Sequence, residues 1–154
     1  AIAAGVEVMM TAHVVFPELD PENPATMSSR ILSGILREQF GYQGLIVSDD
    51  MEMKAVRGRY PLTHQLDLSC RAGVDVFLVC SDPVLQQASV ETLIHLQERQ
   101  PEHIRLAALS RQRLQSLRQR YLLNQPQRSS LSRLGASEWS ELSAWIKSEG
   151  GETV

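Results

Sequence analysis

Three apolar runs along the chain share one kind of lead-in. "AAGVEVMM" (3–10) and "RAGVDVFL" (71–78) carry alanine, glycine, valine, an acid and valine in the same order. "FGYQGLIVSDD" (40–50) repeats the transition with Gly41 and Gly44. Each reads as a helix end, a glycine in the left-handed C′ position and the start of a buried strand. Nearly continuous apolar strands suit a parallel sheet covered on both faces.

The intervening segments read as helices. "SSRILSGILREQF" (28–40) sets Ile31, Leu32, Ile35, Leu36 and Phe40 on one face, with Ser28 or Ser29 as N-cap. "LTHQLDLSCRA" (62–72) is expected to end at Gly73, and a further helix to start near Pro83. Another spans about 102–123, with Ile104, Ala107, Ala108, Leu114, Leu117 and Tyr121 in register. "FPELDPENPAT" (16–26) has three prolines and no helical period, so a long loop is expected there. Residues 125–154 change character to a polar, Ser-rich linker. A short amphipathic helix, "SEWSELSAWIKSE" with Trp139, Leu142, Trp145 and Ile146, follows it, and "GGETV" is expected to lack order.

Strand and helix thus alternate three times before one more helix, the signature of an α/β fold with a parallel sheet. Three strands cannot close a barrel, and a (β/α)8 barrel takes about 250 residues. The expectation is the last three βα units of a TIM barrel in residues 1–124, plus a C-terminal helix, with the barrel incomplete in this chain. The opening "AIAAG" reads as the end of a helix, so a longer parent is expected. Two open sheet edges and an uncovered apolar face would leave the isolated chain molten or prone to aggregate.

Composition narrows the function. The 154 residues are 43% hydrophobic and 21% charged, enough for one globular core. A net charge of −3 speaks against nucleic-acid or anionic-membrane partners. No apolar run approaches a membrane span, and no basic segment opens a signal peptide. Cys70 and Cys80 sit in apolar contexts and read as buried thiols of a reducing compartment. No CxxC or His/Cys spacing suggests zinc, and no cofactor is expected. The arginines of "RLAALSRQRLQSLRQR" (105–120) alternate with core positions, so they read as a solvated helix face.

The candidate chemistry lies in "LIVSDDMEM" (45–53), where a buried strand ends on two acids. Alternation puts Val47 and Asp49 on one side and Ser48 and Asp50 on the other. One acid can face the mouth of a barrel, where active sites lie, while the other braces the turn. Acids at strand ends are also ordinary turn formers. His13 ends the first strand beside the long loop, either facing a substrate or hydrogen-bonded at the strand end. Asp49, Asp50 and Glu52 could instead hold Mg²⁺ against a phosphate. No Gly-rich cradle supports that, and Lys54 and Arg57 are the only basic neighbours. His64, His95 and His103 read as helix-surface residues.

The stretch "VMMTAHVVFPELDPENPATMSSRILSGILREQFGYQGLIVSDDMEMKAV" resembles glycoside hydrolase family 3. The likeness is closest to the cytoplasmic β-N-acetylglucosaminidases of bacterial peptidoglycan recycling. "TAHV", "PATMSS", "SDDMEM" and "AGVDVFLVC" carry it, over about residues 1–123. The resemblance implies a (β/α)8 barrel, a cytoplasmic location and a retaining mechanism with Asp49 as nucleophile. Asp50 would support it, Met53 would pack under the site and His13 would lie near the sugar. The implied partner is a peptidoglycan-derived amino sugar, and the parent is expected to act as a monomer.

The family's Lys-His-Phe-Pro-Gly-His-Gly stretch and its Asp–His acid/base loop do not occur in these residues. Alone, the chain is therefore expected to be inactive. A β-glucosidase branch of the family would carry Trp where Asp50 stands. A reading of another class is a non-catalytic remnant that makes contacts through Trp139 and Trp145.

Overall fold

A computed structural model describes residues 1–123 and 137–149. Among them are five strands: β1 (Val8–Met10), β2 (Val15–Phe16), β3 (Asp20–Pro24), β4 (Leu45–Asp50) and β5 (Val76–Leu78). β1, β4 and β5 form a parallel sheet in the order β1–β4–β5, with Val8 opposite Leu45, Met10 opposite Val47 and Val47 opposite Val76. The fold is α/β and no closed barrel is formed by the described residues.

The glycine reading holds at three positions and fails at a fourth. Gly5, Gly41 and Gly73 have φ of 78°, 68° and 105°. The Gly73 N–H reaches back to the carbonyls of Ser69 and Cys70, closing the Leu62–Ala72 helix before β5 begins. Gly44 is a glycine for another reason. A Cβ there would sit 2.4 Å from Tyr42 Oη and 2.5 Å from the Glu7 carbonyl oxygen. That carbonyl is held by the Leu45 N–H at 2.8 Å and cannot swing away. Gly44→Ala is accordingly expected to cost about 1–3 kcal/mol, the usual range for overpacking, read as a lower urea midpoint.

One face of the sheet is covered. Ile46 packs with Leu32, Tyr42, Ala72 and Val74, and Met9 and Phe77 pack against that group. Met51, Leu66 and Leu96 form a second cluster that shares Phe77. Ile46 and Leu66 are fully buried, each contributing about 1.5–3 kcal/mol. The other face is open at β1, where Val8 is 42% and Met10 62% exposed. Strand alternation accounts for the split, because Val8 and Met10 point away from Met9.

Several expectations need correcting. The 16–26 stretch is not an irregular loop. β2 and β3 pair antiparallel there, Val15 opposite Pro24; Pro21 and Pro24 sit in β3, where an edge strand tolerates them, and Pro17 sits in the turn. The Arg30–Gln39 helix is wound wider than an α-helix, the Phe40 N–H bonding to Ile35 five residues back. The extra residue per turn rotates Phe40 out of the apolar stripe, leaving it 57% exposed. Ser28 does cap this helix, its Oγ accepting the Ile31 N–H at 3.2 Å.

The Pro101–Arg118 helix is turned from the expected phase. His103 is buried and its Nε2 donates to Asp67 Oδ1 at 2.7 Å, so it is no surface histidine. Ser110 and Arg113 also point inward, onto Asp75, whereas Ile104 and Tyr121 are exposed. Polar partners on the facing elements outweigh the apolar stripe. Cys70 is largely enclosed and burial pushes its thiol up to about 12, but Cys80 is exposed, not buried. The Ser137–Glu149 helix is present, with Trp145 and Ile146 exposed. The predicted linker and the "GGETV" end lie outside the described residues.

Candidate active site

The C-terminal ends of β1, β4 and β5 meet at one pole of the sheet, and side-chain bonds knit them laterally. β4 delivers Asp49 and Asp50 there. Asp49 Oδ1 accepts the Asp50 N–H at 2.8 Å, and its second oxygen takes no hydrogen bond among the described residues. Asp49 itself is half-buried at this strand end. One oxygen is thus anchored and the other is left for chemistry.

Asp50 does different work. Its Oδ1 accepts the Glu52 N–H at 3.1 Å, which bends the chain into the turn after the strand. Its carbonyl accepts the Met53 N–H at 3.0 Å and His13 Nε2 at 3.1 Å. A carbonyl can only accept, so Nε2 carries a proton and ties β1 to β4. His13 is only 9% exposed, and its buried Nδ1 has no partner among the described residues. Met53 is 43% exposed, while Met51, 1% exposed, is the methionine packed beneath the turn.

Glu52 is spoken for. Its two oxygens accept the Ser81 and Asp82 N–H groups, stapling the turn after β4 to the loop after β5. Arg57 adds an exposed ion pair to Asp82 at 3.0 Å, and Asp82 itself caps the Pro83–Arg99 helix. Both Glu52 oxygens are thus already engaged, and no group of three or more His, Cys, Asp or Glu side chains placed to hold a metal occurs among the described residues. Cys80, just past β5, lies in the field of this cluster. Local desolvation, then the carboxylates of Asp50, Glu52 and Asp49, raise its thiol pKa.

The β2–β3 hairpin is laid along the same pole. Ala25 N–H bonds to the Val14 carbonyl at 2.8 Å, and the hydroxyls of Thr11 and Thr26 meet at 2.8 Å. Buried Asp20 holds the hairpin closed. Its carboxylate takes the Ser28 hydroxyl at 2.7 Å and the backbone N–H groups of Glu22 and Asn23. The Ser28 bond, opposed by burial and aided by those N–H groups, lowers its pKa below the ordinary aspartate value. The D-P-E-N spacing of an Asx turn was the available signal for this clamp.

One residue at this pole was not singled out from the sequence. Ser48 is fully buried and its Oγ accepts the Leu78 N–H at 2.9 Å. The β4–β5 register slips at that point, from Val47 opposite Val76 to Asp50 opposite Leu78. Three steps on β4 thus span two on β5.

Residues 1–117 match the family model for the glycosyl hydrolase family 3 N terminal domain. A beta-hexosaminidase from Nitrosomonas eutropha is 43% identical over 82 residues, 53% of this chain and 23% of that protein. A glycoside hydrolase family 3 beta-N-acetylglucosaminidase from Paenibacillus superposes with a TM-score of 0.83 at 33% identity, over 95% of this chain and 28% of that one. A beta-N-acetylhexosaminidase from Beutenbergia cavernae gives 0.72 at 27% identity, over 77% and 35%. The chain spans about a quarter of the length of the curated relatives it matches.

Proposed function

The chain belongs to glycosyl hydrolase family 3, and from that membership we propose that it forms the last three βα units of a (β/α)8 barrel enzyme. The reaction is retaining hydrolysis of terminal β-N-acetylglucosamine from peptidoglycan-derived sugars in the cytoplasm, by a parent that acts as a monomer. The observation that carries this reading is the Asp49 carboxylate. It stands at the strand end, one oxygen anchored by the Asp50 N–H and the other unengaged among the described residues.

In this mechanism the unengaged oxygen of Asp49 attacks the anomeric carbon as the bond to the leaving oxygen breaks. An acid supplied from outside these residues protonates that oxygen. The resulting glycosyl-aspartate ester is cleaved by water, which gives its proton to the same external group and returns Asp49 as a carboxylate. Asp50 holds the turn, and His13 braces its backbone. That bond holds His13 near the sugar, and Met53 offers the sugar an apolar wall. No cofactor enters these steps.

The retaining route needs two groups flanking the bond, about 5–5.5 Å apart in the usual carboxylate case. This chain supplies one, so turnover belongs to the complete barrel. The test is trapping. A fluorinated aryl N-acetylglucosaminide that stalls at the ester should add one sugar to the peptide spanning 45–53, on Asp49. A label on any other residue, with Asp49 unmodified, overturns the assignment.

A second reading, a contact module without catalysis, has the exposed Trp145 and Ile146 in its favour. It leaves the anchored Asp49 without a task.

A further inference from the structure

We propose that Ser48 is the positioning residue of the nucleophile: its hydroxyl replaces a ladder acceptor and holds β4 one residue out of step, which aims the Asp49 carboxylate. This rests on the assignment of Asp49 above and extends it to the device that sets its direction.

In a regular parallel pair, residues advance together along both strands. Here Val47 faces Val76 but Asp50 faces Leu78, so β4 carries one residue more than β5 over that interval. The extra residue falls at Ser48–Asp49. Such a bulge bends its strand and redirects side chains, and bulges recur next to active sites.

A bulge strands a backbone donor unless something else accepts it. The Leu78 N–H is that donor, and the Ser48 hydroxyl accepts it at 2.9 Å. Three residues on, the ladder resumes, with the Met51 N–H on the Leu78 carbonyl at 2.9 Å. The interruption is therefore bounded on both sides and takes in Asp49 and Asp50. Ser48 is 0% exposed, so no water substitutes for its hydroxyl. Only a short side chain with an acceptor at the γ position fits this geometry. Alanine leaves the Leu78 N–H unpaired in the interior, and the cheapest escape is for β4 to slide back toward a regular ladder. That slide shifts the Asp49 backbone against β5 and carries its carboxylate off its present line.

The experiment compares Ser48→Ala, Ser48→Thr and Asp49→Asn in the complete barrel enzyme. Active sites are counted by the fluorinated trapping sugar, so that kcat is read per competent site rather than per milligram. The expected result for Ser48→Ala is a fall in kcat per titrated site of about 10- to 100-fold, the scale of a 1 Å misplacement, with KM little changed. Ser48→Thr keeps the acceptor and retains most of kcat.

Wild-type kcat per titrated site in Ser48→Ala overturns the proposal. So does a loss confined to KM, or an equal loss in Ser48→Thr, since the hydroxyl would then not be the cause. Should Ser48→Ala not accumulate, Ser48→Cys preserves the shape with a weak acceptor and decides by the same criterion. Activity persisting in Asp49→Asn would instead sink the nucleophile assignment, an outcome separate from any result at Ser48.

Discussion

Asp49→Asn in the complete barrel is expected to lower kcat on an aryl N-acetylglucosaminide by about 10⁴-fold or more, the scale seen when a covalent nucleophile is removed. Asparagine is nearly isosteric, and its carbonyl oxygen can still accept the Asp50 N–H that Asp49 Oδ1 holds at 2.8 Å. The turn therefore keeps its shape and the loss is chemical, not conformational. An amide oxygen carries no full negative charge and makes a poor ester partner for the anomeric carbon.

Asp49→Gly extends the test. It removes the carboxylate and leaves room for a small anion. With an activated aryl leaving group that needs no acid, azide should restore turnover and yield the glycosyl azide of inverted configuration. An Asp49→Asn enzyme within tenfold of wild type would remove Asp49 from the mechanism. Asp50→Asn, by contrast, is expected to hurt less. Asp50 touches the backbone of Glu52 through its side chain, and its contact with His13 runs through a carbonyl that the substitution leaves in place.

The alternation of helix and strand was legible because each junction needs a residue that tolerates positive φ. Gly5, Gly41 and Gly73 supply it. The acid pair was legible because it interrupts an apolar run at the end where barrel sites form. What was not legible shares one cause. The β2–β3 hairpin hides behind three prolines, and its closure depends on Asp20 reaching Ser28, eight residues away. The inward turn of the last long helix depends on Asp67 and Asp75, which lie on other elements. Ser48 looks like any strand serine until Leu78 is found opposite it. Local periodicity reports propensity and amphipathicity, whereas each of these features is a polar contact made across the fold.

Asp75 is the clearest such contact, and its removal is the stability change with the largest expected effect. Its side chain is 0% exposed and both oxygens are fully used. Oδ2 takes Arg37 Nη2 at 2.7 Å and the Ile46 N–H at 2.9 Å. Oδ1 takes the Ser110 hydroxyl at 2.7 Å and Arg113 Nη1 at 2.8 Å. One carboxylate thus joins the start of β5 to β4 and to two helices. Arg37 spreads the tie by donating to the carbonyls of Tyr42, Gly44 and Gly73.

Asp75→Ala leaves the Arg37 guanidinium, 11% exposed, without its counter-charge and the Ile46 N–H without an acceptor. Breaking one side of a buried pair costs about 3–5 kcal/mol, most of it the penalty of the charge left behind. Urea denaturation of the complete barrel should register that loss as a lower midpoint with an unchanged slope. A shift below about 1 kcal/mol, the range of exposed pairs, would mean that water reaches the site and the network is superficial. Arg113→Ala is expected to cost less, because Arg113 is 23% exposed and its partner keeps Arg37. Pairing Asp75→Ala with Arg37→Met should recover part of the loss, since the stranded charge goes too. Recovery in the double variant would show that Asp75 and Arg37 hold β4 and β5 in place chiefly through each other. The same β4–β5 pair, a few residues on, carries the slip at Ser48, so the bulge stands on strands fixed from below.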